Sequence, residues 1–250
     1  MENGDQRGRA NTTTSSFSGS RFPIPGARGL AARAWAICAK DARQELRQRI
    51  ALAAVFFFAA TALALVSFAI GPFGLRAEDR VSVNAALFWI ILFFSAATGL
   101  PRAFVREEET GTALALRKVT SGVLVLAGKT LFNYALFLAI AAVAIPGFAI
   151  LLEWSVAAPV LLAAVVVLAG WGLAVVSTFL SALVAQAGQK NVLFVVISFP
   201  MLLPLLLFAI SGTVAATRGE GVTTALQVIV AYDGAASCAV YLLANAVWEN

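Results

Sequence analysis

The chain has 250 residues, of which 60% are hydrophobic and 12% charged, a formal net charge of +5 and no histidine. Soluble domains carry roughly 45–50% apolar and about 25% charged residues, so too little polar surface is present to cover a water-soluble fold, and the same figures exclude an intrinsically disordered chain. Without histidine no imidazole-dependent nucleophile or imidazole haem ligand can be written, and with Cys38 and Cys238 two hundred positions apart no clustered zinc set can be either: no catalytic residue and no metal site is expected.

Residues 1–28 are rich in Ser, Thr, Asn, Gly and Arg and read as a disordered tail. The first apolar run begins near Ile50, too late for a secretory signal. Over 29–49, Ala31, Trp35, Cys38, Ala42 and Leu46 recur at spacings of three and four among Arg33, Lys40, Asp41, Arg43, Gln44, Arg47 and Gln48. This pattern predicts an amphipathic interfacial helix anchored by Trp35; a solvated lead-in to the first span is the alternative.

Residues 50–250 hold six runs of membrane-spanning character. They are Ile50–Ile70, Val83–Leu100, Leu131–Leu151, Val156–Ala185, Val192–Ser211 and Ala225–Val247. The fold class expected is therefore all-α, a six-helix transmembrane domain. Fifteen Lys and Arg lie before the first span or in the second-to-third and fourth-to-fifth connections, against Arg76, Arg80 and Arg218 on the other side. That asymmetry places both termini in the cytoplasm and makes the basic balance a topology signal, with no nucleic-acid partner.

The connection Pro101–Thr130 is the long cytoplasmic loop of this topology. Arg106, Glu107, Glu108 and Glu109 precede a turn at Thr110-Gly111; the apolar residues Ala113, Leu114 and Leu116 then lead into Arg117-Lys118. Mixed segments of this kind dock into grooves on soluble partners, and a solvated topogenic loop is the alternative. Gly122…Gly128-Lys129-Thr130 imitates a phosphate loop, but position 123 is Val and the spacing is wrong by one, so ATP binding by this chain is not expected.

In the fourth run, Gly170-Trp171-Gly172 precedes Ser177, Ser181 and Ala185, whose small-residue spacing predicts a packing face. In the fifth, Pro200 and Pro204 predict a bend, either statically packed or serving as a hinge or pathway element. Asp233 opens the sixth; an ionised carboxylate costs about 2.5–3.5 kcal/mol at the centre of a membrane helix, so headgroup depth on the outer side is expected. Trp154, after Glu153, is expected as an interfacial tryptophan on that same side.

Taken in order, several segments resemble the CcmB family, membrane subunits of the cytochrome c maturation ABC complex. They are Lys40-Asp41…Glu45-Leu46-Arg47, Gly71-Pro72, Phe104…Arg106-Glu107…Gly111, Gly128-Lys129, the run Phe199 to Pro204, and Tyr232-Asp233. Departures fall at Leu114-Ala115-Leu116, where an acid is usual, at Val119-Thr120, where proline is usual, and in the weakly acidic end Trp248-Glu249-Asn250. The resemblance implies a non-catalytic permease subunit of the type-2 ABC exporter kind in a bacterial inner membrane. ATP and Mg would be bound by a separate CcmA-like ATPase subunit, docked at the Arg106–Arg117 segment. It also implies a CcmC-like haem-handling membrane protein, a CcmE-like haem chaperone, contact with membrane lipid and two copies per complex. Haem would be handled by the complex, by export or by release of the loaded chaperone, with no cofactor held by this chain. Permeases for lipid, polysaccharide or drug, and a membrane-embedded assembly scaffold, are the alternatives.

Overall fold

The structure, a computed structural model, describes residues 32, 34–40, 42–43, 49–70, 76–99, 122–185 and 190–249. Six long helices follow one another: α1 (Arg49–Ile70), α2 (Ala77–Gly99), α3 (Gly122–Leu151), α4 (Pro159–Ala185), α5 (Lys190–Arg218) and α6 (Thr223–Glu249). No strand occurs among the described residues. Helices are what an apolar chain must form in a bilayer, where each backbone polar group needs a partner within its own segment. The protein is an all-α membrane protein. Five helices, α2 to α6, are long and apolar enough to cross a membrane, while the apolar stretch of α1, Ala53–Ala69, is shorter.

Four boundaries differ from expectation by three residues or more. The second helix starts at Ala77, not Val83, because the polar turn Glu78-Asp79-Arg80 joins it without a helix breaker. The third helix starts at Gly122, not Leu131, because Val123–Ala127 contains no helix breaker and Gly128 is held by packing. The false phosphate loop therefore lies inside α3, and Gly122–Thr130 is not part of a connecting loop. Helix α4 starts at Pro159, whose missing N–H costs nothing in the first turn. Helix α5 continues past Ser211 to Arg218, because Gly212 sits where a side chain would crowd Val165 and Ala225. It ends at Gly219, whose φ of 76° lets the Glu220 N–H reach back 2.8 Å to the Ala215 carbonyl.

Helix α4 is the hub. It packs against α3, α5 and α6, while α2 bridges α1, α3 and α5. Toward one end, rings from α2 and α3 interlock. Phe88 meets Phe148 edge-on at 5.4 Å, Trp89 edge-on at 5.8 Å and Trp154 at 5.3 Å. Trp89 also donates its indole N–H to Thr213 Oγ1 of α5 at 2.9 Å. Trp154, at this end of α3, points its ring into the protein and is buried, because the left-handed backbone of Glu153 (φ 52°) turns the chain back over the end of the helix. At the other end, Val125 and Leu126 of α3 pack with Ala182 of α4 and Ala244 of α6.

The helix expected over 29–49 is helical at its described residues. Its residues 34–40 lie across the start of α3, with Cys38 buried and Trp35 64% exposed. Gly128 permits this approach. A Cβ there would stand 2.7 Å from Ile37 Cβ and 2.9 Å from the Ala34 carbonyl oxygen, a backbone atom that cannot swing aside. Gly128→Leu is expected to cost about 1–3 kcal/mol by overpacking. It should also expose Cys38, so maleimide labelling in detergent, confined to the exposed Cys238 in the native chain, should extend to both thiols.

Candidate functional site

The middle of the bundle holds a carboxylate. Asp233 is 7% exposed and lies ten residues after Thr223, the first residue of α6. At about 1.5 Å per residue that is roughly 15 Å along the helix. It faces Gly172, near the midpoint of α4, so closely that a Cβ on Gly172 would meet Asp233 Oδ1; Leu205 of α5 closes the site. Headgroup depth is therefore not where the acid lies. A glycine in the opposing helix opens room for it within the bundle. Asp233 Oδ1 has no hydrogen-bond partner among the described residues.

The segment Gly170-Trp171-Gly172 explains how α4 serves two neighbours. Successive helical residues point about 100° apart, so Gly170 and Gly172 face nearly opposite ways. Gly170 receives the Phe137 ring of α3, and Gly172 receives Asp233 of α6. Trp171, between them, packs edge-on to Tyr134 at 5.4 Å, and the Tyr134 hydroxyl donates to the Val167 carbonyl at 3.0 Å. Tyr134 and Tyr232 both lie within electrostatic reach of the Asp233 carboxylate.

Pro200 and Pro204 lie in an unbroken α5, their side chains exposed on its outer face. Each removes the hydrogen bond to the carbonyl four residues earlier. The inner side of the same turns faces the site: Tyr232 donates to the Met201 carbonyl at 2.8 Å, and Leu205 packs over Gly172. Of the three residues expected as hinge or pathway elements, the structure joins the proline turns to Asp233 through Met201, Leu205 and Tyr232, not through the prolines themselves.

A polar relay runs beside this site. Asn133 Nδ2 donates to Thr178 Oγ1 at 2.8 Å, Thr178 donates to the Ala174 carbonyl, and Ser181 donates to the Thr178 carbonyl at 2.8 Å. Ser177 and Ser181 are buried, as a packing face requires. Sequence reasoning missed Asn133 and Tyr134; the signal available was an Asn-Tyr pair inside an otherwise apolar run. The expected docking residues Arg106, Glu107, Glu108, Glu109, Gly111, Leu114, Leu116 and Arg117 lie outside the described residues, as does Ala185's side chain.

The whole bundle falls within one family match: the family model described as CcmB protein covers residues 32–248. The chain belongs to the CcmB family. It is accordingly a multi-pass membrane component of the cytochrome c maturation and haem-export ABC system. No curated protein matches the chain. The CcmB match begins on the N-terminal helical segment and ends within α6, so the Asp233 site and the Gly128 crossing both belong to the matched region.

Asp233→Ala removes an unpartnered buried acceptor facing Gly172, and should raise the thermal midpoint by the equivalent of about 1–3 kcal/mol. Gly172→Ala drives a methyl group onto the carboxylate and should lower it. Together the two substitutions should return stability to near the native value, because the methyl group then finds the space that the acid vacated. Differential scanning fluorimetry of the three variants in detergent checks this.

Proposed function

We propose that this CcmB-family chain is the permease subunit of an ABC transporter for cytochrome c maturation, and that it converts closure of a separate ATPase subunit into rearrangement of its helices. The observation that carries the reading is the family match across the described helices. In this reading α1 also crosses the bilayer, since 22 residues at about 1.5 Å each reach the roughly 30 Å hydrocarbon thickness. Six crossings then leave both termini in the cytoplasm of a bacterial cell, at the inner membrane. Trp35 anchors the N-terminal helix in the headgroup layer, for which its exposure suits it.

The ATPase docks at Arg106–Lys118, between α2 and α3. Leu114 and Leu116 are the anchors, and Glu107, Glu108, Glu109, Arg106 and Arg117 steer, with Gly111 providing the turn. ATP and Mg sit in the partner. Two copies of this chain pair with the ATPase dimer, beside a CcmC-like membrane protein and a CcmE-like haem chaperone. Haem is cargo of the complex, exported or released on the chaperone. This chain holds no iron, in keeping with its lack of histidine. Movement of the docked segment reaches the core through α2 and α3, and Pro200 and Pro204 let α5 yield against Asp233.

Leu114→Asp should abolish ATPase pull-down and lower holocytochrome c yield while the protein still inserts, because the change lies outside every helix described. Wild-type values for both would remove the segment from the coupling role. Charge reversal at Glu107–Glu109 should weaken the pull-down in a salt-dependent manner. Cysteines placed beside Arg76 and Arg218 should react with an impermeant maleimide added outside the cell; labelling only after lysis would reverse the topology.

A further inference from the structure

A cation is enclosed where the N-terminal helical segment crosses α3. Lys129 is 0% exposed. It stands one turn after Val125, which packs in an apolar cluster with Leu126, Ala182 and Ala244. An ammonium in such surroundings is costly unless a carboxylate compensates it. Lys129 has no surface through which water could do so, and the compensation therefore comes from within the protein. Most of the chain's acids lie elsewhere. Glu78, Asp79, Glu153 and Glu220 are at the opposite end of the bundle. Asp233 faces Gly172 in its middle. Glu249 lies five residues beyond Ala244 toward the end of α6, which separates it from the level of Lys129 by roughly 13 Å of helix rise.

The helix that crosses α3 brings an acid of its own. Ala34 and Ile37 are the residues against Gly128, the neighbour of Lys129, and Cys38 beside them is buried. Ala32, Trp35, Ala36 and Arg43 are exposed and point roughly the opposite way. Asp41 lies outside the described residues, but the chain is helical on both sides of it, over 34–40 and 42–43. At about 100° per residue, position 41 falls within about 10° of the direction midway between Ala34 and Ile37. That direction is the one that meets α3. Position 41 is also one turn past Ile37, about 6 Å of rise, as Lys129 is one residue past Gly128; the long flexible stem of a lysine covers such a gap. Glu45 shares the face but stands a further turn away.

We propose that the Asp41 carboxylate pairs with the Lys129 ammonium, and that this buried ion pair fixes the register of the N-terminal helix across α3. Gly128 sets how closely the two helices approach. The ion pair sets which turn of the N-terminal helix lies there. A buried pair adds little net stability over apolar packing, yet a slide or rotation of the helix leaves one charge buried alone, at a far larger cost. The same pairing keeps the Trp35 face turned away from the bundle.

The thiol of Cys38 reports on this register, because it is buried only while the inner face of the helix stays against the bundle. The full-length protein carrying Cys238→Ser keeps Cys38 as its single thiol, and its rate of maleimide labelling is measured in detergent. Asp41→Lys and Lys129→Asp should each label about tenfold faster or more, as one partner of a buried pair is lost. The double swap should return to within about twofold of the parent rate, since the pair is restored with its charges exchanged. Asp41→Asn should also label faster, and Asp41→Glu should stay protected. These two changes lie outside the six long helices, so they decide the matter even if Lys129→Asp fails to insert. Labelling of Asp41→Asn at the parent rate overturns the proposal, and so does a double swap that labels as fast as its faster single variant. Protection of Lys129→Asp restored by Glu45→Lys, or by charge reversal at Glu107–Glu109, and not by Asp41→Lys would assign Lys129 to that other acid and overturn the pairing.

Discussion

The arrangement of the bundle depends on how closely its helices can approach α4. Between helices in a bilayer there is no hydrophobic gain, since lipid tails are as apolar as leucine; association rests on packing and a few polar contacts. Small residues decide where backbones meet. Gly170 and Gly172, two positions apart, open opposite sides of α4 to Phe137 of α3 and Asp233 of α6. Gly212 does the same where α5 meets Val165 of α4 and Ala225 of α6. A side chain at any of these positions would push apart helices whose every other contact assumes that spacing.

The remaining contacts divide the bundle lengthwise. One end is held by rings: Phe88, Phe148 and Trp154 lock α2 to the end of α3, and the Trp89 bond to Thr213 adds α5. Large interdigitated aromatics have few alternative arrangements in a close-packed interior, so this end resists shear. The middle is polar and adjustable. Its bonds from Asn133 to Thr178 and from Tyr232 to the Met201 carbonyl join helices singly, and interhelical bonds in membranes are worth about 0.6 kcal/mol on average and up to about 2. Such contacts can exchange at modest cost. An acid with an unpartnered oxygen stands among them.

Much of this was legible in the sequence, because apolar runs of span length have one backbone solution in lipid. Residues whose role is set by a neighbour distant in sequence were read less well. Asp233 looked interfacial because its cost is reckoned against lipid, and only the opposing Gly172 changes that reckoning. Trp154 after Glu153 fitted a membrane-surface pattern, yet the left-handed turn at Glu153 is invisible to composition and sends the ring inward. Gly128-Lys129, set aside as a phosphate loop, lies inside α3, and what the glycine does there depends on Ile37, some ninety residues earlier. The proline pair was read as a bend, and the structure carries both prolines within one continuous helix. That its inner turn accepts a bond from Tyr232 was not legible, since periodicity carries no information on which helix lies opposite.

These contacts bear on how a displacement could cross the bundle. Residues 100–121 connect α2 to α3, and the middle of α2 is held to the far end of α3 through Phe88, Phe148 and Trp154. A displacement of the end of α2 that leads into this connection therefore pivots about Phe88, half-way along the helix, and is largest at that end. There α2 meets α5 through Phe93 against Phe199, edge-on at 5.8 Å, at the residue before the first proline. Below that contact α5 has lost two backbone hydrogen bonds, so it bends more readily there than elsewhere along its length. Bending at that point changes the position of Met201 and Leu205, which are the α5 groups against Tyr232 and Gly172. The two prolines thus lie on α5 between its contact with α2 and the turns against the buried carboxylate, while the interlocked rings hold the middle of α2 to the end of α3.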